Sequence, residues 1–99
     1  MTQPQSWQVS LEKGAPALLR DANSSQDSIL ADGALSMKVK TLMTMVCDAI
    51  LAHPDGVAAI AGRARGMGAS EEEIAEAAGV AYLMGGLPAL VFAANAFRD

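Results

Sequence analysis

From Ser36 to Ile50 the apolar residues Val39, Leu42, Met43, Val46, Ala49 and Ile50 recur at steps of three and four, the spacing of an α-helix with one continuous apolar stripe. Ser36 is suited to cap its N-terminus. The pattern predicts that the stripe is core and that Thr41, Thr44 and Asp48 lie opposite it. Seven residues make nearly two turns, so Asp48 falls almost directly above Thr41. This helix must end before His53-Pro54-Asp55-Gly56, because proline disfavours the helical conformation in the residue before it and suits the first position of a new helix. A second helix follows from Gly56 to Met67, with Val57, Ile60, Ala61 and Ala64 on its apolar face. Arg63 and Arg65 fall near its C-terminal end, where cations suit the helix dipole, and Gly66 and Gly68 close it. Ser70-Glu71-Glu72-Glu73 is a capping box that starts the next helix.

From Ala77 to Phe97 no charged residue occurs for 21 positions. A run of that length raises the question of a membrane span. Gly79, Gly85-Gly86, Pro88 and Asn95 interrupt it and much of it is alanine, which argues against a span, so no membrane is expected. The last helix starts at Pro88, with Leu90, Val91, Ala94 and Phe97 facing one way and Phe92 and Ala96 another. A helix apolar nearly all round has to be buried, which predicts that part of this surface belongs to a subunit interface.

The N-terminal segment is weaker in pattern. Met1 to Gln8 reads as a loose arm, and a helix can start at Ser10 with Glu12 in its first turn. Gly14 and Pro16 keep it short. The polar run Ala22 to Ser28 is either a linker or the exposed front of a second helix continuing to Ala31, and Asp32-Gly33 supplies a stop. The expected organisation is an N-terminal embellishment over residues 1–31 and an all-α domain over residues 32–99.

Composition changes this picture in three places. Ninety-nine residues suit one core, but 52% apolar and only 18% charged residues are hard for a small monomer to hide, which favours a homo-oligomer. A net charge of −4, with seven Lys plus Arg spread along the chain, argues against a nucleic-acid partner. A single cysteine forms no intrachain disulfide, which fits a reducing compartment. The opening residues show neither a basic nor an apolar leader region, so a cytoplasmic location is expected.

The candidate chemistry lies where the first two helices meet. His53, the only histidine, sits at the bend, and beside the positive end of a helix dipole a neutral imidazole is favoured, the form that a general base needs. Asp48 lies five residues earlier. Along an unbroken helix the two side chains would point apart, so a hydrogen bond between them requires the bend. Asp55 can cap the second helix or orient the ring. The bland readings are a histidine that merely caps and a solvated aspartate. Cys47 is expected as a small buried hydrophobe, the commonest role of an unpaired cysteine. As a peroxidatic thiol it lacks both a resolving partner and an adjacent base. One His and scattered carboxylates fall short of a metal-ligand set, and no cofactor motif is present.

Three stretches carry a family resemblance. Lys38-Val39-Lys40-Thr41-Leu42, Gly68-Ala69-Ser70-Glu71-Glu72-Glu73-Ile74 and Gly85-Gly86-Leu87-Pro88-Ala89-Leu90 resemble, in order and spacing, the carboxymuconolactone decarboxylase and AhpD-like alkylhydroperoxidase superfamily. The family pattern is K-x-K-E-L, a Cys-x-x-Cys junction with a nearby His, G-A-S/T-x-E-E-I and G-G-x-P-A-L. Laid on it without a gap, the resemblance covers roughly Ala31 to Phe97. It implies an all-α helical domain assembled as a trimer or hexamer. Thr41 stands where the peroxidase branch has its relay glutamate, His53 and Gly56 where it has its two cysteines, and Ile60 where it has its histidine. A register that puts His53 on the family histidine leaves Val46 and Ala49 on the cysteine positions, so it also lacks the redox pair. The resemblance therefore points to three functions. The first is acid/base chemistry by His53, aided by Asp48 or Asp55, on a small organic acid. The second is a non-catalytic binding or assembly protein on the same scaffold. The third is a peroxidase relying on Cys47.

Overall fold

The computed structural model describes residues 6–98, and these form helices and connecting turns with no strand among them. The chain divides into two compact units, one ending at Ala31 and the other running from Asp32. In the first unit, α1 (Ser6–Gly14) and α2 (Pro16–Leu30) follow one another through Ala15. The Ala15 amide donates to the Leu11 carbonyl at 2.7 Å, and the Ala15 carbonyl accepts from Leu19 at 3.1 Å. Residues 6–8 are already helical, so α1 begins four residues before the expected start at Ser10; Met1 to Gln5 lie outside the described residues. Pro16 opens α2 at a position where its missing N–H has no role. The polar run Ala22 to Ser28 is an exposed part of this continuous helix and not a linker. The expected glycine stop is absent. Ala31 ends α2 in an extended conformation, and Gly33 has no positive φ. Asp32 contributes instead to the start of the following helix, its carboxylate accepting from the Met37 amide at 2.7 Å.

The second unit is built from α3 (Met37–Ile50), α4 (Pro54–Gly66), α5 (Glu71–Ala93) and a short 3₁₀ turn (Ala94–Phe97). Ser36 caps α3, its hydroxyl accepting from the Val39 amide at 3.1 Å. At α5 the Ser70 hydroxyl accepts from the Glu73 amide at 3.1 Å while Glu73 accepts from the Ser70 amide at 2.9 Å, the reciprocal pair of a capping box. Met45, Val57 and Ile74 are the largest fully buried side chains, and alanines fill most of the remaining core. Such small residues let helices approach closely: a Cβ at Gly85 would stand 3.2 Å from Ile50 Cγ1.

One feature differs from the pattern read in the sequence, and one follows it. On α3 the buried face is Thr41, Met45 and Ala49, flanked by half-buried Leu42 and Val46, while Val39, Met43 and Ile50 are exposed. Apolar residues occupy more than one side of α3, so periodicity alone did not decide which side packs. The predicted break before Pro88 falls at Gly86, whose φ of 76° and ψ of −166° leave the helical region within the span Glu71–Ala93. Glycine alone adopts this pair of angles readily.

The stretch Glu71–Phe97 is long and apolar enough, by length and composition, to cross a membrane, and only 22% of its most apolar window is buried. Val80, Leu83, Met84, Leu87 and Val91 all stand exposed along it. Its other side, Ile74, Ala78, Ala81, Ala89 and Ala93, is buried.

Candidate functional site

The junction of α3 and α4 is shaped by how α3 ends. The Ala52 amide donates to the Ala49 carbonyl at 3.3 Å, and the His53 amide to the Asp48 carbonyl at 2.9 Å. This is the six-to-one, five-to-two pairing of a Schellman cap, which needs a left-handed residue at its centre, and Ala52 has φ 65°. The same motif ends α4, where Ala69 pairs with Ala64, Gly68 pairs with Arg65, and Gly68 takes φ 94°. One cap uses glycine, as is usual. The other holds an alanine in a conformation that costs an L-residue about 1–2 kcal/mol.

A Schellman cap brings together the side chains of the two residues joined by its outer hydrogen bond, ordinarily as an apolar contact. At the end of α4 these are buried Ala64 and Ala69. At the end of α3 they are Asp48 and His53, and the contact is polar: His53 Nδ1 lies 3.0 Å from Asp48 Oδ1. The bend that sequence reasoning required for this bond is therefore the cap itself. The Asp48 side chain is 23% exposed and that of His53 58%. His53 is the N-cap residue of α4 but its side chain makes no capping bond, so the mere-cap reading does not hold.

Asp55 does not orient the ring. Its carboxylate accepts from Arg98 Nη2 at 2.9 Å, and Arg98 also donates to Asn95 Oδ1 at 3.0 Å. Cys47 is exposed, which corrects the expectation of a buried hydrophobe. Thr41 is buried with 3% exposure and donates to Met67 Sδ at 3.4 Å, so it does not share an open face with Asp48. Ile60 is in the core. Among the described residues no cluster of His, Cys, Asp and Glu is arranged to hold a metal ion.

Two charge pairs lie away from this junction. Arg65 grips Glu71 with two bonds of 2.7 and 2.8 Å and donates to the Ala96 carbonyl at 2.9 Å, tying the end of α4 to the start of α5 and to the 3₁₀ turn. The bond to Arg65 lowers the Glu71 pKa, and the bond to Glu71 raises that of Arg65. The pKa of Glu73 is lowered first by the Ser70 amide and then by Lys38, which lies 2.9 Å away. These pairs join α3 and α4 to the start of α5.

Sequence reasoning missed two contributors. Gly56 lies so close to Asp48 that a Cβ there would collide with Oδ2. Ala52 supplies the left-handed residue. A signal for the second was present: Asp48 and His53 are separated by the five residues of a Schellman pair once α3 is ended at Leu51. Gly56 left no such signal.

Fold and site together define an all-helical domain whose interhelix junction carries a hydrogen-bonded Asp-His pair. The model of the carboxymuconolactone decarboxylase family matches residues 16–99, and the chain belongs to that family. The match takes in α2 as well as the whole second unit. No curated protein and no solved structure matched the chain.

Proposed function

We propose that this protein is a small-molecule enzyme in which His53, oriented by Asp48, transfers a proton to or from a small organic acid. The observation that carries this reading is the 3.0 Å contact between His53 Nδ1 and Asp48 Oδ1. A carboxylate on Nδ1 fixes the neutral tautomer and leaves Nε2 for substrate. The family name supplies the substrate class. In a decarboxylation the bond between carbon and carboxylate breaks, carbon dioxide leaves, and the electron pair stays on carbon. A proton must then reach that carbon. His53 as imidazolium delivers it from Nε2 and regains one from water, so atoms and charge balance without a redox partner. The exposed face of Val80, Leu83, Met84, Leu87 and Val91 supports assembly with further copies of the chain, as a trimer or hexamer in the cytoplasm, in preference to contact with lipid.

The test is carbon dioxide release from a panel of small lactone and keto acids, carboxymuconolactone among them. General acid–base catalysis contributes about 10²–10⁴-fold, so His53→Ala should lower kcat by that order with the fold retained. Unchanged turnover in His53→Ala removes this reading, and no turnover of any acid by the wild-type protein favours a binding or assembly protein on the same scaffold. A peroxidase reading has one observation in its favour, the exposure of Cys47. It requires the thiol to be consumed by peroxide, and a Cys47 inert to peroxide excludes it.

A further inference from the structure

We infer that Gly56 is a positioning residue for the Asp48–His53 pair: its missing side chain leaves the space that the Asp48 carboxylate occupies, and so holds that carboxylate on His53 Nδ1. This rests on the acid–base reading and adds a residue to it. The glycines of α4 differ in what surrounds them. A Cβ at Gly62 or Gly66 would meet nothing within 4 Å, whereas one at Gly56 would collide with Asp48 Oδ2 and come within 3.0 Å of Asp48 Cγ and 3.4 Å of His53 Cβ. The obstacle is the carboxyl group itself, on a side chain with only two rotatable bonds whose other oxygen is engaged by His53. A side chain at 56 can enter only if the carboxylate turns away, and His53 then loses its partner.

Glycine inside a helix is unfavourable relative to alanine, so local helix preference does not account for Gly56. Its φ is not positive, so no backbone conformation demands it. The space beside Asp48 is the remaining demand.

His53 is the only histidine, so its two ring nitrogens give unambiguous ¹⁵N signals. At a pH where the ring is neutral, the wild-type protein should show the proton on Nδ1. Gly56→Ala should lower the ratio of Nδ1–H to Nε2–H forms by at least about tenfold, the equivalent of losing one hydrogen bond to a charged group. Asp48→Ala should do the same, and Gly62→Ala should leave the ratio unchanged. Because Gly56→Ala can also disturb the fold, the second readout is a thermal-stability cycle. In the wild-type background Gly56→Ala should lower Tm or leave it unchanged, and in the Asp48→Ala background it should raise Tm by the same few degrees as Gly62→Ala. An unaltered tautomer ratio in Gly56→Ala, or the same Tm change in both backgrounds, overturns the proposal. Neither readout involves turnover. A protein whose tautomer follows Gly56 but whose turnover ignores His53 keeps the positioning role and loses the enzymatic one.

Discussion

Replacing Ala52 by glycine should stabilise the protein, although it removes a methyl group and adds no contact. Ala52 holds φ 65° at the centre of the cap that ends α3. The left-handed conformation costs an L-residue about 1–2 kcal/mol. Glycine is free of that cost but loses more backbone freedom on folding, returning about 0.5–1 kcal/mol. The net gain for Ala52→Gly is about 0.5–1 kcal/mol, which for a chain of this size raises Tm by roughly 2–8 °C. Gly68 provides the mirror experiment, since it takes φ 94° in the equivalent cap of α4 and a Cβ there would meet nothing within 4 Å. Gly68→Ala should therefore lose about what Ala52→Gly gains. Urea denaturation at one fixed protein concentration measures both, the concentration being held because self-association, where it occurs, adds to apparent stability. Ala52→Gly without effect, or destabilising, would show that Ala52 carries no strain. Ala52→Gly should also preserve the Asp48–His53 contact, because glycine keeps the same cap and both of its backbone hydrogen bonds.

Two further outcomes follow from the charge pairs and the exposed apolar surface. The Glu73 pKa is depressed from its ordinary 4.5, so its contribution is present above that value and is lost as pH falls through the lower folded value. Glu73→Gln should accordingly lower Tm at pH 7 and have progressively less effect as the buffer is acidified below 4; an effect that grows on acidification would contradict the assignment. Leu83→Glu with Val91→Glu places charge on residues 77% and 61% exposed, so the subunit should remain helical while sedimentation velocity shows the assembly dissociating. A wild-type protein already monomeric without detergent, or an assembly untouched by the pair, would refute that interface.

Much of the second unit was legible because its signals are local. Ser36, Ser70 with Glu73, the Pro54 start and the Gly85-Gly86-Leu87-Pro88 interruption each act through a backbone group within a few residues, and each appears in the structure where the sequence placed it. What depended on packing was legible on α4, whose expected face Val57, Ile60, Ala61 and Ala64 is buried, but not on α3. Ala49 is buried as expected, but Met45 is buried while Val39 and Met43 stay exposed because α3 is apolar on more than one side, and Thr41 went inward with Met45. Cys47 stands outside for the same reason. The Asp48–His53 contact was foreseeable only as a condition on the bend, because a shift of one residue in the end of α3 would separate the two side chains. Gly56 was invisible because its contribution is the absence of atoms. At the N-terminus, the polar face of α2 imitates a linker, since an exposed helix with one buried residue leaves little periodic pattern.

The central claim is that Asp48 and His53 act as one unit, and a kinetic double-mutant cycle tests it most directly. Turnover of an accepted acid is measured for the wild-type protein, Asp48→Asn, His53→Ala and the double variant. Removal of the ring should make the loss of the carboxylate immaterial, so the double variant should be no slower than His53→Ala alone. Two losses that multiply would mean that the residues work independently, and the hydrogen bond between them would then be a feature of the helix cap alone.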